Sequence, residues 1–271
     1  MQVPRFLGDG AGLWTTVFAT IFVLLTALPA LAAAGDPSIA KAVVVRPEAT
    51  GLLNGNSAVI LAEDDLFEGQ KIVTGAQGQV QIVFADDTHL VVGPGSSLVI
   101  EKYLMRNGGT ASAFAVSALG GTFRFITGKS PKSAYSIVTP TATIGVRGTK
   151  FDFSVDDDTK ETKVVLFEGQ VKLCPNSGGC ETVKDKCDVG FSGASNADLI
   201  KPGNSKHDSA TANFPYVASQ SDLQSGFKVN SASACGQAPA ATKNEKPKAD
   251  PGPSKPKPDP KPIPDPKPDG K

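Results

Sequence analysis

Four cysteines, two histidines, an aspartate triplet and a Gly-Lys-Ser run are the residues whose types could carry redox, acid–base, metal or phosphate chemistry. Cys174, Cys180, Cys187 and Cys235 are separated by five, six and 47 residues, with no C-x-x-C and no histidine near the first three. Zinc sites want tighter pairs, so two disulfides are the expected use. Cys174 to Cys180 with Cys187 to Cys235 is the simplest of the three possible pairings, because Pro175-Asn176-Ser177-Gly178-Gly179 is turn-forming throughout. His89 follows a turn and alternates with Leu90 and Val92, which places it on the outward face of an edge-type strand. His207 stands beside Asp208, yet the nearest nucleophile motif, Gly190-Phe191-Ser192-Gly193-Ala194, misses G-x-S-x-G. Gly128-Lys129-Ser130 ends like a phosphate loop, but Phe123 occupies the first glycine position and Pro131 follows. Asp156-Asp157-Asp158 lacks the later glycine and bidentate glutamate of a calcium loop and reads as a hairpin tip. No catalytic residue, metal site or cofactor is expected.

Charge and composition narrow the partners. Lys plus Arg and Asp plus Glu are 27 each, so no overall field draws in nucleic acid. Phe supplies 14 of the 18 aromatic residues, a profile of packed interiors more than of stacking platforms. Residues 1–32 read as a signal peptide: Arg5, an apolar run from Thr15 to Leu31, and Ala30-Leu31-Ala32 before the cut, with a second cut possible after Ala34. The alternative is a membrane anchor over residues 15–34. Cleavage implies a periplasmic or secreted protein and suits cysteines that pair.

The elements that must position these residues are strands. From about Val43 to Leu173 apolar residues alternate with polar ones, and tight turns recur every eight to twelve residues. Val80, Ile82 and Phe84 share one face while Gln79 and Gln81 take the other; Phe123, Phe125, Phe151, Phe153 and Val155 point inward while Arg124, Lys150 and Asp152 face out. Two internal echoes appear. Leu66-Phe67-Glu68-Gly69-Gln70 recurs as Leu166-Phe167-Glu168-Gly169-Gln170, and Gly121-Thr122-Phe123 is echoed by Gly148-Thr149-Lys150-Phe151. The expected fold is all-β, with short strands and tight turns that suit a sandwich, barrel or solenoid, and the echoes favour a solenoid-like arrangement over a sandwich. The β domain is assigned to residues 43–173. Residues 174–242 lose the alternation and read as a loop-rich extension tethered by a disulfide. Residues 243–271 hold ten prolines and eight lysines with Ile263 as the single large apolar residue, a disordered, extended spacer that could touch the cell wall.

Three stretches resemble the FecR domain family. They are Gly69-Gln70-Lys71-Ile72-Val73-Thr74-Gly75, then Val80 to Leu90 with Gly93-Pro94-Gly95-Ser96, and Thr139 to Thr149 with Phe151 and Glu168-Gly169-Gln170-Val171. The resemblance implies a β module presenting strand edges or turns to a protein or ligand of the bacterial cell envelope. It does not carry over the regulators' cytoplasmic half, since about 14 residues precede the apolar run. Arg147-Gly148-Thr149 is its most specific element. Gly148 permits a positive φ or a close backbone approach, and Arg147 either caps carbonyls or binds a carboxylate. The function expected is a non-enzymatic signalling or scaffolding module binding an envelope protein or ligand. The alternatives are a structural cell-wall or surface protein and a glycan-active enzyme using paired carboxylates. Membrane contact follows only if residues 15–34 stay uncleaved.

Overall fold

The computed structural model describes residues 37–106 and 108–235; the signal segment, the anchor alternative and the Pro/Lys tail lie outside the described residues. Strands dominate, as alternation requires, and they form two sheets around one core. Across sheet A the order is β4 (Asp65–Leu66), β1 (Ala40–Arg46), β6 (Gln79–Phe84), β7 (His89–Val92), β9 (Thr110–Ile126), β12 (Lys150–Val155), β13 (Thr162–Glu168), β16 (Val189–Ser192) and β17 (Ala197–Ile200). Across sheet B it is β3 (Asn56–Val59), β2 (Ala49–Leu53), β5 (Lys71–Thr74), β8 (Ser97–Arg106), β9 again, β10 (Tyr135–Val138), β11 (Ala142–Val146), β14 (Val171–Pro175) and β15 (Glu181–Val183).

β9 belongs to both sheets. Its first part pairs with β8 and β10 as far as Gly120, and from Gly121 onward it pairs with β7 and β12. The corner needs glycine. Gly121 has φ +98°, and a Cβ there would lie 2.2 Å from Ser96 Oγ and 2.5 Å from Ser96 Cα.

Both sequence echoes are corners of this kind. Leu66 to Gln70 carries the chain from β4 of sheet A into β5 of sheet B, and Leu166 to Gln170 carries it from β13 of sheet A into β14 of sheet B. Gly121 and Gly148 each stand where the chain returns from sheet B to sheet A. Repeated peptides therefore mark repeated crossings.

The all-β expectation is met. Neighbouring strands are antiparallel except β9 with β10, so the chain advances as hairpins that change sheets, and the solenoid part of the expectation extends no further than this alternation. The core between the sheets holds Phe84, Phe114, Phe123, Phe125, Phe151 and Phe153. Phe123 and Phe153 are register partners and stack with ring centroids 4.8 Å apart.

Of the segment read as a loop-rich extension, residues 174–235 are described, and they carry more regular structure than that reading. Besides the end of β14 they hold β15, β16 and β17, whose three or four residues each are too short to show an alternation. The extension proper runs from Lys201 to Cys235 through turns, α1 (His207–Thr211) and α2 (Pro215–Ala218). It packs on the outer face of sheet A. Phe214, Val217 and Val229 meet Val165, Phe167 and Val189, while Tyr216, Leu223 and Phe227 meet Val91. Disulfides join Cys174 to Cys180 and Cys187 to Cys235, the second fastening the end of the extension to the turn before β16. Among the described residues no cysteine is free, and no helix is long and apolar enough to cross a membrane.

The extension overturns several outward assignments. Gln79, Gln81, Arg124 and Asp152 do point away from the core, yet all are buried, because residues 207–235 lie over them. Alternation distinguishes the two faces of a strand but does not show what later covers the outer one. His89 also differs from its assignment: β7 lies between β6 and β9 rather than at an edge, and the ring meets Phe227 edge-on at 4.8 Å.

Candidate functional site

Arg147, Gly148 and Thr149 form the corner between β11 and β12, and it packs against the corner at Glu168 to Gln170. The Arg147 N–H donates to the Gln170 carbonyl at 3.0 Å, and a Cβ on Gly169 would come within 2.1 Å of the Gly148 carbonyl oxygen. Gly148 itself takes φ +66°. The Thr149 N–H donates to Thr127 Oγ1 at 3.0 Å, and the Thr127 N–H returns a bond to the Thr149 carbonyl. The backbone of the element is thus a tie between two crossings.

Its side chains divide. Thr149 is buried, while Arg147 is exposed and lines a cleft of about 530 Å³ on the outer face of sheet B. The register explains the cleft. Ser136, Gly145, Lys172 and Thr182 are successive cross-strand neighbours on β10, β11, β14 and β15, so a residue without a side chain lies between longer ones. Lys132, from the 3₁₀ turn before β10, passes over the corner, its Cε 3.2 Å from where a Cβ on Gly148 would stand. Tyr135 lines the cleft, but its hydroxyl is engaged elsewhere, donating to Asp86 Oδ2 at 2.9 Å. Burial raises the Tyr135 pKa, so the hydroxyl keeps its proton.

Lys132, Arg147 and Lys172 therefore converge with Ser133, Gln170 and Thr182, and no acidic residue lines the cleft. Among the described residues none of the three cations makes a side-chain hydrogen bond or ion pair. Other cations behave differently: Lys129, Lys150 and Lys163 lie 3.5, 2.7 and 3.0 Å from Asp87, Glu168 and Glu161. The Arg147 guanidinium caps no carbonyl among the described residues, and so its structural work is done by its backbone alone. Sequence reasoning found Arg147 and Gly148 but missed Lys132, Lys172 and the floor residue Gly145. The available signal was period two: Gly145 and Lys172 each stand between inward-facing apolar residues.

On the opposite sheet the Arg124–Asp152 pair is sealed. Arg124 Nε and Nη2 grip the Asp152 carboxylate at 2.6 and 2.8 Å, Nη1 meets Gln220 Oε1 and the Phe227 carbonyl, and Nη2 also donates to the Tyr216 carbonyl at 3.1 Å. The guanidinium carbon sits 5.2 Å from the Phe167 ring centre and 5.4 Å from that of Tyr216. Burial pushes the Asp152 carboxyl up to about 6, against the pull of Arg124. His207 is buried with Nε2 2.7 Å from the Cys187 carbonyl, and His89 Nδ1 lies 3.0 Å from the Asp87 carbonyl. Ser130 of the Gly-Lys-Ser run donates to Asp86 at 2.5 Å inside the core, and Asp156 accepts from Thr159 and the Asp158 N–H within its own turn. Among the described residues no three His, Cys, Asp or Glu side chains cluster as metal ligands would.

Residues 70–172 match the family described as FecR protein. Two crystal structures, at 1.65 and 2.50 Å, of a provisionally assigned anti-sigma factor from Parabacteroides distasonis share 14% identity and a TM-score of 0.39 with this chain. The match covers 52% of this chain and 63% and 62% of theirs, so the chain spans less than two thirds of either. No curated protein matches it.

Proposed function

We infer, from the FecR domain that this chain carries over residues 70–172, that the protein is an exported, non-enzymatic binding module of the bacterial cell envelope. The observation that carries this reading is an asymmetry. The outer face of sheet A is closed by the chain's own extension, whereas sheet B leaves Leu52, Leu119, Val138, Arg147 and Lys172 exposed and carries a cleft with three unpaired cations. A face that costs nothing to uncover is the one available to a partner. Both histidines being held against backbone carbonyls, and Asp152 being locked by Arg124, supports a role in binding rather than acid–base turnover. Two disulfides suit an oxidising compartment. In this reading residues 1–32 are removed on export, and residues 243–271 act as an extended spacer whose lysines contact the wall. The β module in this reading runs on from the 43–173 segment through β17 at Ile200, the tethered extension follows it, and Arg147, Gly148 and Thr149 stand at the binding corner.

The test is capture from envelope fractions with the full chain and two sets of variants. Replacements at Leu119, Val138 and Lys172 should lose a dominant partner that replacements at exposed Lys201, Asp222 and Lys228 retain. Equal retention by both sets would overturn the assignment of the binding face.

A further inference from the structure

We propose that the cleft at Arg147 is a subsite for a hydroxylated oxyanion, a carboxylate or phosphate borne on a sugar- or glycerol-like carrier. The proposal deepens the binding reading above and rests on its choice of face. Three cations converge where no acid answers them, on a protein whose Lys plus Arg equals its Asp plus Glu. Like charges held together in this way are favourable when an anion sits between them. Arg147 supplies a planar fork suited to two oxygens of one carboxylate or phosphate, and Lys132 and Lys172 supply point charges at either side. Ser133, Gln170 and Thr182 add neutral donors and acceptors of the kind that hydroxyl groups pair with.

The carrier follows from what the cleft lacks. Its floor is β11 and β14, each paired on both sides, so their N–H and C=O groups are already used and an extended peptide would find no main chain to pair with. Tyr135 is the single aromatic residue in the lining, and its hydroxyl is held by Asp86. The volume, about 530 Å³, falls within the range of small-ligand sites and exceeds the needs of a bare ion. Gly145 makes that depth. A Cβ there would meet Lys172 at 3.8 and 3.9 Å, ordinary contact, so the position accepts a side chain without strain and is small where the cleft needs room.

The experiment is calorimetric titration of the purified full chain with glucuronate and with glycerol 3-phosphate, against glucose, glycerol and a hexapeptide of Asp and Glu. At least one of the two anions should bind, with affinity falling as salt is raised, while the neutral compounds do not. Tighter binding of glucuronate assigns a uronate, and tighter binding of glycerol 3-phosphate assigns a phosphate-bearing carrier. Arg147→Gln should weaken binding about tenfold or more, the scale of a lost charge-assisted pair. Gly145→Leu should abolish binding with the melting temperature held, and Lys172→Gln provides the same test if that variant melts early. Binding of neither anion, equal binding by Arg147→Gln, or tighter binding of the acidic hexapeptide would overturn the proposal. Each of these would leave partner capture by the exposed face of sheet B as a separate result.

Discussion

Two rows of outward side chains cross this molecule, one on each sheet, and they have opposite fates. On sheet A, Gln81, Val91, Arg124, Asp152 and Val165 are cross-strand neighbours, all buried beneath residues 207–235. On sheet B, Ser136, Gly145, Lys172 and Thr182 stand in an equivalent row with nothing from the described chain above them. Both rows carry charge. In the first, a cation and an anion neutralise one another and the remaining donors of Arg124 reach carbonyls of the cover; in the second, Lys172 has no side-chain partner. The difference teaches where this chain has made a permanent interface and where it has kept one open.

The largest way to break the comparison is to remove one partner from the sealed row. Arg124→Leu leaves Asp152 buried without its cation, and such changes cost about 3–5 kcal/mol. Urea unfolding should show this loss, with Arg124→Leu combined with Asp152→Leu recovering part of it. A loss under about 1 kcal/mol would mean that water reaches the row and that it is not sealed.

Next is the strap. Cys187 and Cys235 are 48 positions apart and Cys174 and Cys180 are six apart. By chain entropy the long closure contributes about 4 kcal/mol and the short one about 2. Cys187→Ala with Cys235→Ala should therefore destabilise more than the other pair, and limited proteolysis should then cut first between residues 201 and 235. Equal effects from the two pairs would show that the extension holds by packing alone.

A smaller effect is expected from pH. The Asp152 carboxyl is raised to about 6 from an unfolded value of about 3.9, so the folded state holds the proton more tightly. Its contribution is full below about pH 4 and is lost as pH rises through about 6. Unfolding midpoints of the wild type relative to Asp152→Asn should fall across that window and run parallel above it. A gap that widens in favour of the wild type there would reverse the sign and place the pKa below its ordinary value. The smallest effect belongs to the open row, where Lys172→Gln should change stability by no more than about 0.5 kcal/mol.

The core was legible because its signal is local. Phe123, Phe125, Phe151 and Phe153 alternate over a few residues, and the pleat alone sends them inward. The Arg147-Gly148-Thr149 corner was legible as a motif, and the echoes announced the crossings without saying that they were crossings. What escaped is non-local. Nothing near Arg124 indicates that Tyr216, Gln220 and Phe227, some hundred positions later, will close over it, and those covering residues lie in turns and helices of three or four residues, too short to show a period. The cleft was half legible for the same reason: Arg147 belongs to a recognisable run, whereas Lys132 and Lys172 join it only through the register of β10, β11 and β14.

The strand shared by both sheets has a kinetic consequence. Because residues 110–126 donate and accept ladder bonds first in sheet B and then in sheet A, neither sheet can lose its central strand without pulling the other's apart. Amide protons of β10 and β12, on opposite layers, should therefore exchange with a common opening free energy, as one foldon rather than two. The molecule would then transmit a pull on either face to the other through seventeen residues of continuous backbone.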